Sequence, residues 1–194
     1  MRVAIIGAGN MSKRYSTILW HYKIPHEIFD IGNWKSSVRK NFDRYIVASS
    51  TEAHVENLKY LLEHGKKVLC EKPVCKDYAT LKWLAYEYPA FQMLNQYRHL
   101  AGDGNGISCY DYFKTGSDGL YWDCINIIGL AKGRATIKNT SPVWTCRING
   151  KKLSIADMDK AYMTEISQFL AKPEPNTSYM LESHLKVIEG YYNA

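Results

Sequence analysis

Two rhythms of apolar residues alternate along the first half of the chain. Short apolar runs at Val3–Ile6, His26–Phe29, Tyr45–Ala48, Lys67–Cys70 and Ala90–Leu94 predict strands. Between them, apolar positions recur at helical spacing. Met11–Trp20 is one such stretch. In Thr51–His64, Val55, Leu58, Leu61 and Leu62 share a face, Thr51 stands where an N-cap is expected, and Gly65 ends the run. Asp77–Glu87 carries Leu81 and Leu84 on one side and is closed by Pro89. Only Ile31–Arg44 separates the second strand from the third. That is too short for another strand with a flanking helix, so a trimmed loop or one short helix is expected there. Strands alternating with helices predict an α/β domain with a Rossmann-type, doubly wound parallel sheet of few strands.

Near residue 100 the rhythm changes. Ala101-Gly102-Asp103-Gly104-Asn105-Gly106 reads as a turn or linker. Beyond it, Ser108–Phe113, Arg134–Ile137, Val143–Ile148 and Lys151–Ser154 read as strands, the last two joined by the hairpin signal Asn149-Gly150. Helices are expected at Tyr121–Leu130, Met158–Leu170 and Tyr179–Tyr192. The division is therefore a dinucleotide-binding domain, residues 1–99, and a small α+β domain with an open, mainly antiparallel sheet, residues 100–194. Helices are expected to cover one face of that sheet, with Trp122 and Trp144 on the covered side. Tyr110, Tyr112, Trp144 and Cys146 are expected to make a free apolar face, or part of one, through which the chain pairs as a homodimer.

Composition adds little to this picture but excludes several classes. Hydrophobic residues make up 46% and charged residues 23%, ordinary for a globular protein. No apolar run approaches the length of a membrane span, and the N-terminus does not read as a signal peptide, so a cytoplasmic protein with no membrane role is expected. The five cysteines form no CxxC and no metal-ligand spacing, so they read as reduced thiols and no metal is expected. The formal charge of +6 is dispersed apart from pairs such as Lys66-Lys67 and Lys151-Lys152. It suits an anionic ligand, and nothing in its pattern calls for nucleic acid.

The chemistry concentrates at the ends of the predicted parallel strands. Gly7-Ala8-Gly9-Asn10-Met11-Ser12 follows the first strand and opens a helix, and Asp30 comes 21 residues after Gly9. Gly7 permits the tight turn, Gly9 lets the backbone approach a pyrophosphate, and the helix N-terminus offers N–H groups to its charge. A carboxylate at that distance accepts hydrogen bonds from a ribose. Ser12 stands where glycine or alanine is usual, but it is still small. Ser49-Ser50-Thr51-Glu52-Ala53-His54 and Glu71-Lys72-Pro73 fall at two further strand ends, the edge where such sheets bind ligands.

These segments, with Asn95-Gln96-Tyr97-Arg98, resemble the glucose–fructose oxidoreductase/inositol dehydrogenase (Gfo/Idh/MocA) family of NAD(P)-dependent enzymes, of which this chain would be a shortened member. The resemblance implies an NAD or NADP cofactor held by Gly7, Gly9, Asn10, Met11, Asp30, Ser49, Ser50, His54, Glu71, Lys72 and Pro73. It implies Lys72 as a catalytic residue, Pro73 as a turn residue, often with a cis peptide, and Arg98 as part of the substrate cleft. Asp30 would favour NAD by repelling a 2′-phosphate, while Lys35 and Arg39 leave the choice open. A family helix bearing an acid and a histidine is matched to Gly119–Ile128, with Asp123 at the acid and Ile127 at the histidine. Asp123 or Tyr97 would then support Lys72, and Asp123 with Asn126 would hold substrate hydroxyls. The expected function is hydride transfer between nicotinamide and a small polar carbonyl or alcohol, such as a sugar or cyclitol derivative. The alternative is a dinucleotide-binding regulatory or partner protein that has lost turnover.

Overall fold

The computed structural model describes residues 1–71, 74–88, 92–93, 108–115, 122–130, 133–140, 143–148, 151–153 and 155–173. They divide between two units, one of Met1–Leu94 with Ile166–Asn176 and one of Asn95–Glu165 with Thr177–Ala194.

The first unit is built on a parallel sheet. Its elements run β1 (Val3–Ile6), α1 (Asn10–His21), β2 (His26–Phe29), a 3₁₀ helix (Trp34–Lys40), β3 (Arg44–Val47), α2 (Thr51–Glu63), β4 (Val68–Cys70), α3 (Tyr78–Glu87) and β5 (Gln92–Met93). The strand order is β2-β1-β3-β4-β5, and every pairing is parallel. The chain thus turns one way from β1 to β2 and the other way from β3 onward. That reversal leaves a crevice between the carboxyl ends of β1 and β3, the position where open α/β sheets bind ligands.

Burial explains why the apolar runs become central strands. Val3, Ala4, Ile5 and Ile6 are at most 1% exposed, as are Tyr45, Ile46, Val47, Val68, Leu69 and Cys70. Burying one large aliphatic side chain stabilises by about 1.5–3 kcal/mol, so these strands contribute much to the stability of the unit, as do Tyr15, Leu19, Leu58 and Leu61 of the helices. Burial also pushes the Cys70 thiol well up and the Cys75 thiol up to about 11, which leaves these two as poor nucleophiles.

The short segment after β2, expected as a trimmed loop or one short helix, is a short 3₁₀ helix. In place of a further strand, the 3₁₀ helix shields the sheet edge and buries Trp34. Lys40 binds Glu27 of the edge strand at 2.6 Å and lies over the Phe29 ring. Asp77 caps α3 by accepting from the Thr80 N–H at 2.8 Å. The N-cap of α2 is Ser50, not Thr51, which is already the first helical residue. Gly65, at φ +65°, ends that helix as expected, with the Gly65 and Lys66 N–H groups returning to the Leu62 and Leu61 carbonyls.

In the second unit β6 (Ser108–Thr115), β7 (Trp122–Leu130), β8 (Gly133–Thr140), β9 (Val143–Ile148) and β10 (Lys151–Leu153) form an antiparallel meander in the order β10-β9-β8-β7-β6. A long helix, α4 (Ile155–Ala171), follows and ends in the first unit, where the Arg44 guanidinium donates to the Phe169 and Leu170 carbonyls at 3.4 and 3.3 Å. No helix among the described residues is long and apolar enough to cross a membrane.

Two expectations fail in this sheet. The helix predicted over Tyr121–Leu130 is the strand β7, paired on both sides. Three β-branched residues, Ile125, Ile127 and Ile128, favour the extended form, and Gly129 disfavours a helix. The proposed apolar face of Tyr110, Tyr112, Trp144 and Cys146 also fails. The register puts Tyr110 beside Ile127, Thr136 and Arg147, whereas Cys146 is beside Ile137 and Asn126. The two tyrosines therefore belong to one face, and Trp144 and Cys146 to the other. The linker at 101–106, the turn at Asn149-Gly150, Pro89 and the helix expected at Tyr179–Tyr192 lie outside the described residues.

Candidate functional site

The site grows from the turn between β1 and α1. Gly7 has φ +108°, and its N–H donates to the Phe29 carbonyl at 2.7 Å. A Cβ there would lie 2.7 Å from the Ala48 carbonyl oxygen and the Ser49 backbone, so this position requires glycine twice over. Gly9 differs. It is the N-cap of α1 at φ −81°, and a Cβ there would meet nothing within 4 Å. Its hydrogen faces open space beside the helix N-terminus.

That terminus has no side-chain cap and no acidic residue in its first turn. Its N–H groups and the positive end of the helix dipole therefore remain available to an anion. Ser12, the small third residue of the motif, is fully buried in the same turn, and its hydroxyl has no hydrogen-bond partner. We expect Ser12→Ala to remove that desolvated group and raise stability by about 1 kcal/mol, read as a shifted denaturation midpoint with an unchanged slope.

A groove of about 280 Å³ opens at this turn. One wall is Ile6, Gly7, Ala8 and Gly9; another is Asp30, Ile31 and Trp34; the third is Ser49 and Ser50, with Ala53, Glu56 and Asn57 of α2. Its volume suits part of a dinucleotide, at the lower edge of the ~300–1,000 Å³ of small-molecule sites. Asp30 stands just past β2, where the Ile31 N–H donates to its Oδ1 at 2.7 Å. The Asp30 N–H donates in turn to Asn33 Oδ1 at 3.0 Å, which ties the Asp30 backbone to the following loop.

Ser49 is held from two sides. Its hydroxyl donates to Asn57 Oδ1 at 2.6 Å, and its carbonyl is 3.0 Å from His54 Nε2, an approach that requires the ring proton on Nε2. His54 is 1% exposed and does not line the groove. It is a positioning residue behind the third wall. Glu71, just past β4, is 6% exposed, and the buried Tyr15 hydroxyl of α1 donates to its carboxylate. The Glu71 N–H donates to the Val47 carbonyl at 2.8 Å. The Tyr15–Glu71 pair fastens α1 to the end of β4.

The structure thus gathers Gly7, Gly9, Asp30, Ser49 and Ser50 around one groove, with Asn10 and Met11 in the first turn of α1 beside it. Lys72, Pro73, Tyr97 and Arg98 lie outside the described residues. Asp123 and Asn126 are on β7, three residues apart, and therefore on opposite faces of an extended strand, not on one helix. The match of Gly119–Ile128 to a family helix fails with it, and so does the reading of Ile127 as a replaced histidine. Sequence reasoning also missed Ile31, Trp34, Ala53, Glu56 and Asn57. The last three are at helical spacing on the first turns of α2, a signal that becomes readable only once Ser49 is placed.

The residues fit a dinucleotide: an open cradle at Gly9, an uncapped helix terminus for the pyrophosphate, and a carboxylate at the second strand end for the ribose. The class is a Rossmann-type dinucleotide-binding fold. The comparisons agree. The family model described as "Oxidoreductase family, NAD-binding Rossmann fold" (Gfo/Idh/MocA) matches residues 26–87. That stretch, which carries Asp30, Ser49–His54 and Glu71-Lys72-Pro73, is similar to the NAD-binding segment of that family.

Solved structures agree on the fold. A Gfo/Idh/MocA family oxidoreductase from Vibrio cholerae aligns over 100% of this chain and 97% of its own, at 11% identity and TM-score 0.60. A myo-inositol 2-dehydrogenase from Lactobacillus plantarum aligns over 97% and 94%, at 12% identity and TM-score 0.56. A biliverdin reductase from Synechocystis, solved with biliverdin and NADP+, aligns over 99% and 97%, at 11% identity and TM-score 0.55. No curated protein matches the chain.

Proposed function

We propose that the protein is an NAD(P)-dependent oxidoreductase that acts on a small polar carbonyl or alcohol, a sugar or cyclitol derivative being the class that its motifs suit. The observation that carries this reading is the groove at the reversal point of the sheet, where Gly7, Gly9, Asp30 and Ser49 converge. When bound, the nicotinamide supplies the hydride chemistry. This chain's part is to bind, orient and stabilise charge. The first turn of α1 faces the pyrophosphate, and Asp30 accepts from the adenosine ribose. The same carboxylate disfavours a 2′-phosphate, so NAD is the expected cofactor.

Lys72 directly follows the anchored Glu71 at the end of β4. Its ammonium would polarise the substrate oxygen and stabilise the alkoxide that forms as the hydride arrives. Asp123 is retained as a substrate-binding candidate from the sheet. Asn126, on the other face of β7, drops out as its partner on the same substrate. The rival reading, a binding protein without turnover, draws on the missing histidine and the small second domain; the strand at β7 removes the helix match on which the first was based, and steady-state turnover separates the two readings.

Hydride transfer tests the proposal. Reduced NAD carrying deuterium at the transferable C4 position is incubated with the protein and a panel of keto-sugars and cyclitol ketones. Deuterium on the product carbinol carbon is the expected result. Tight NAD binding with no transfer to any member would favour the non-catalytic reading.

A further inference from the structure

The dinucleotide groove does not end at Asp30. A second pocket of about 460 Å³ adjoins it, formed by Ile31, Gly32, Asn33, Trp34, Lys35, Ser36 and Glu56. The two share Ile31, Trp34 and Glu56. The second pocket lies on the loop after β2, on the Asp30 side of the groove, where the ribose of a bound adenosine would sit. A phosphate carried by that ribose would therefore enter it.

The pocket holds one cationic group, the Lys35 ammonium, and that group is engaged. It is 2.9 Å from the Glu56 carboxylate, and it stands over the Trp34 and Tyr60 rings at 5.3 and 5.5 Å from their centroids. Trp34 and Tyr60 pack edge to face beneath it, so the ammonium rests on an aromatic floor that limits where it can go. Glu56 neutralises the single charge that could welcome a phosphate, and it adds a second carboxylate to that of Asp30 on the approach.

Resting on the dinucleotide reading above, we infer that this loop pocket is a latent 2′-phosphate subsite closed by the Lys35–Glu56 ion pair, which makes Glu56 a cofactor-specificity residue alongside Asp30. The pair works by charge. A phosphate dianion entering the pocket meets Asp30 and Glu56, while the attraction of Lys35 is spent on Glu56. Removing the Glu56 charge takes away one repulsion and frees one attraction in the same place.

The test is a titration of NAD and NADP, separately, into the parent protein and into Glu56→Gln, Lys35→Met and the double variant, followed by calorimetry. Circular dichroism checks that each is folded; both side chains are more than half exposed, so folding should be retained. The ratio of NADP to NAD affinity is expected to rise about tenfold in Glu56→Gln, the scale of one or two exposed charge contacts. In the double variant most of that rise should vanish. Added salt should also shrink it, because the pocket is open to solvent. A ratio unchanged in Glu56→Gln, or a rise undiminished in the double variant, overturns the inference while leaving the dinucleotide site intact. A parent protein that binds neither nucleotide overturns the dinucleotide reading itself. A parent that prefers NADP shows Lys35 to be available despite Glu56, and it overturns both the inference and the role given to Asp30.

Discussion

Gly9→Val is expected to abolish detectable dinucleotide binding in a protein that is otherwise native. The two glycines of the turn separate fold from function. At Gly7 any side chain collides with the backbone at Ala48 and Ser49 at 2.7 Å and forces a residue to φ +108°, so Gly7→Ala should lose stability by roughly 3 kcal/mol or more. At Gly9 the backbone is at φ −81°, an ordinary value for any residue, and the space ahead of its Cβ is empty. Valine there costs the fold little, yet it fills the cradle in front of the α1 N-terminus. The expected readings are an unchanged circular dichroism spectrum, a denaturation midpoint within a few degrees of the parent, and NAD affinity lower by at least ~100-fold, the scale of losing the phosphate contacts. Unaltered NAD affinity in folded Gly9→Val would remove the pyrophosphate from this turn.

Lys72→Met should give the second large effect, on turnover and not on cofactor affinity. The residue follows Glu71, whose carboxylate and N–H are both held, by Tyr15 and Val47. Lys72 is the next residue in the sequence. A lysine is protonated at neutral pH unless strongly desolvated, which suits it to stabilise a developing alkoxide. Methionine keeps the length and removes the charge. The expected outcome is a hydride-transfer rate lower by ~100-fold or more, the scale of one key electrostatic contact, with NAD affinity changed little. Equal rates in variant and parent on the same substrate would take Lys72 out of the mechanism and direct attention to Asp123 or Tyr97.

How much of this was legible in the sequence depended on distance along the chain. The β1-turn-α1 unit, Asp30 and the strands leading to Ser49 and Glu71 were readable because short apolar runs, glycine and fixed spacing are local signals. Those positions supply Gly7, Gly9, Asp30, Ser49 and Ser50 of the groove's three walls, but not Ile31, Trp34, Ala53, Glu56 or Asn57. Pairings across the fold were not readable. Tyr15 and Glu71 are 56 residues apart, and only the sheet order brings α1 to the end of β4. Glu56 and Asn57 look like ordinary polar positions on α2 until the helix is docked beside Ser49 and Lys35. The largest error was the segment from Tyr121 to Leu130. A helix was expected there, but three β-branched isoleucines favour the extended form, and the residues sit between two antiparallel neighbours. That error also carried the Asp123–Asn126 pairing, because residues three apart share a helix face but not a strand face.

The central claim is that the groove at the sheet's reversal point receives the dinucleotide. Amide hydrogen exchange with and without NAD tests it directly, because each wall is a separate stretch of chain. The account predicts slowed exchange on NAD addition in three segments: residues 7–13 at the α1 N-terminus, 30–36 after β2, and 49–57 at the start of α2. Exchange in β2 and in the far end of α1 should stay the same. Protection confined to other segments, or none at saturating NAD, would contradict the account.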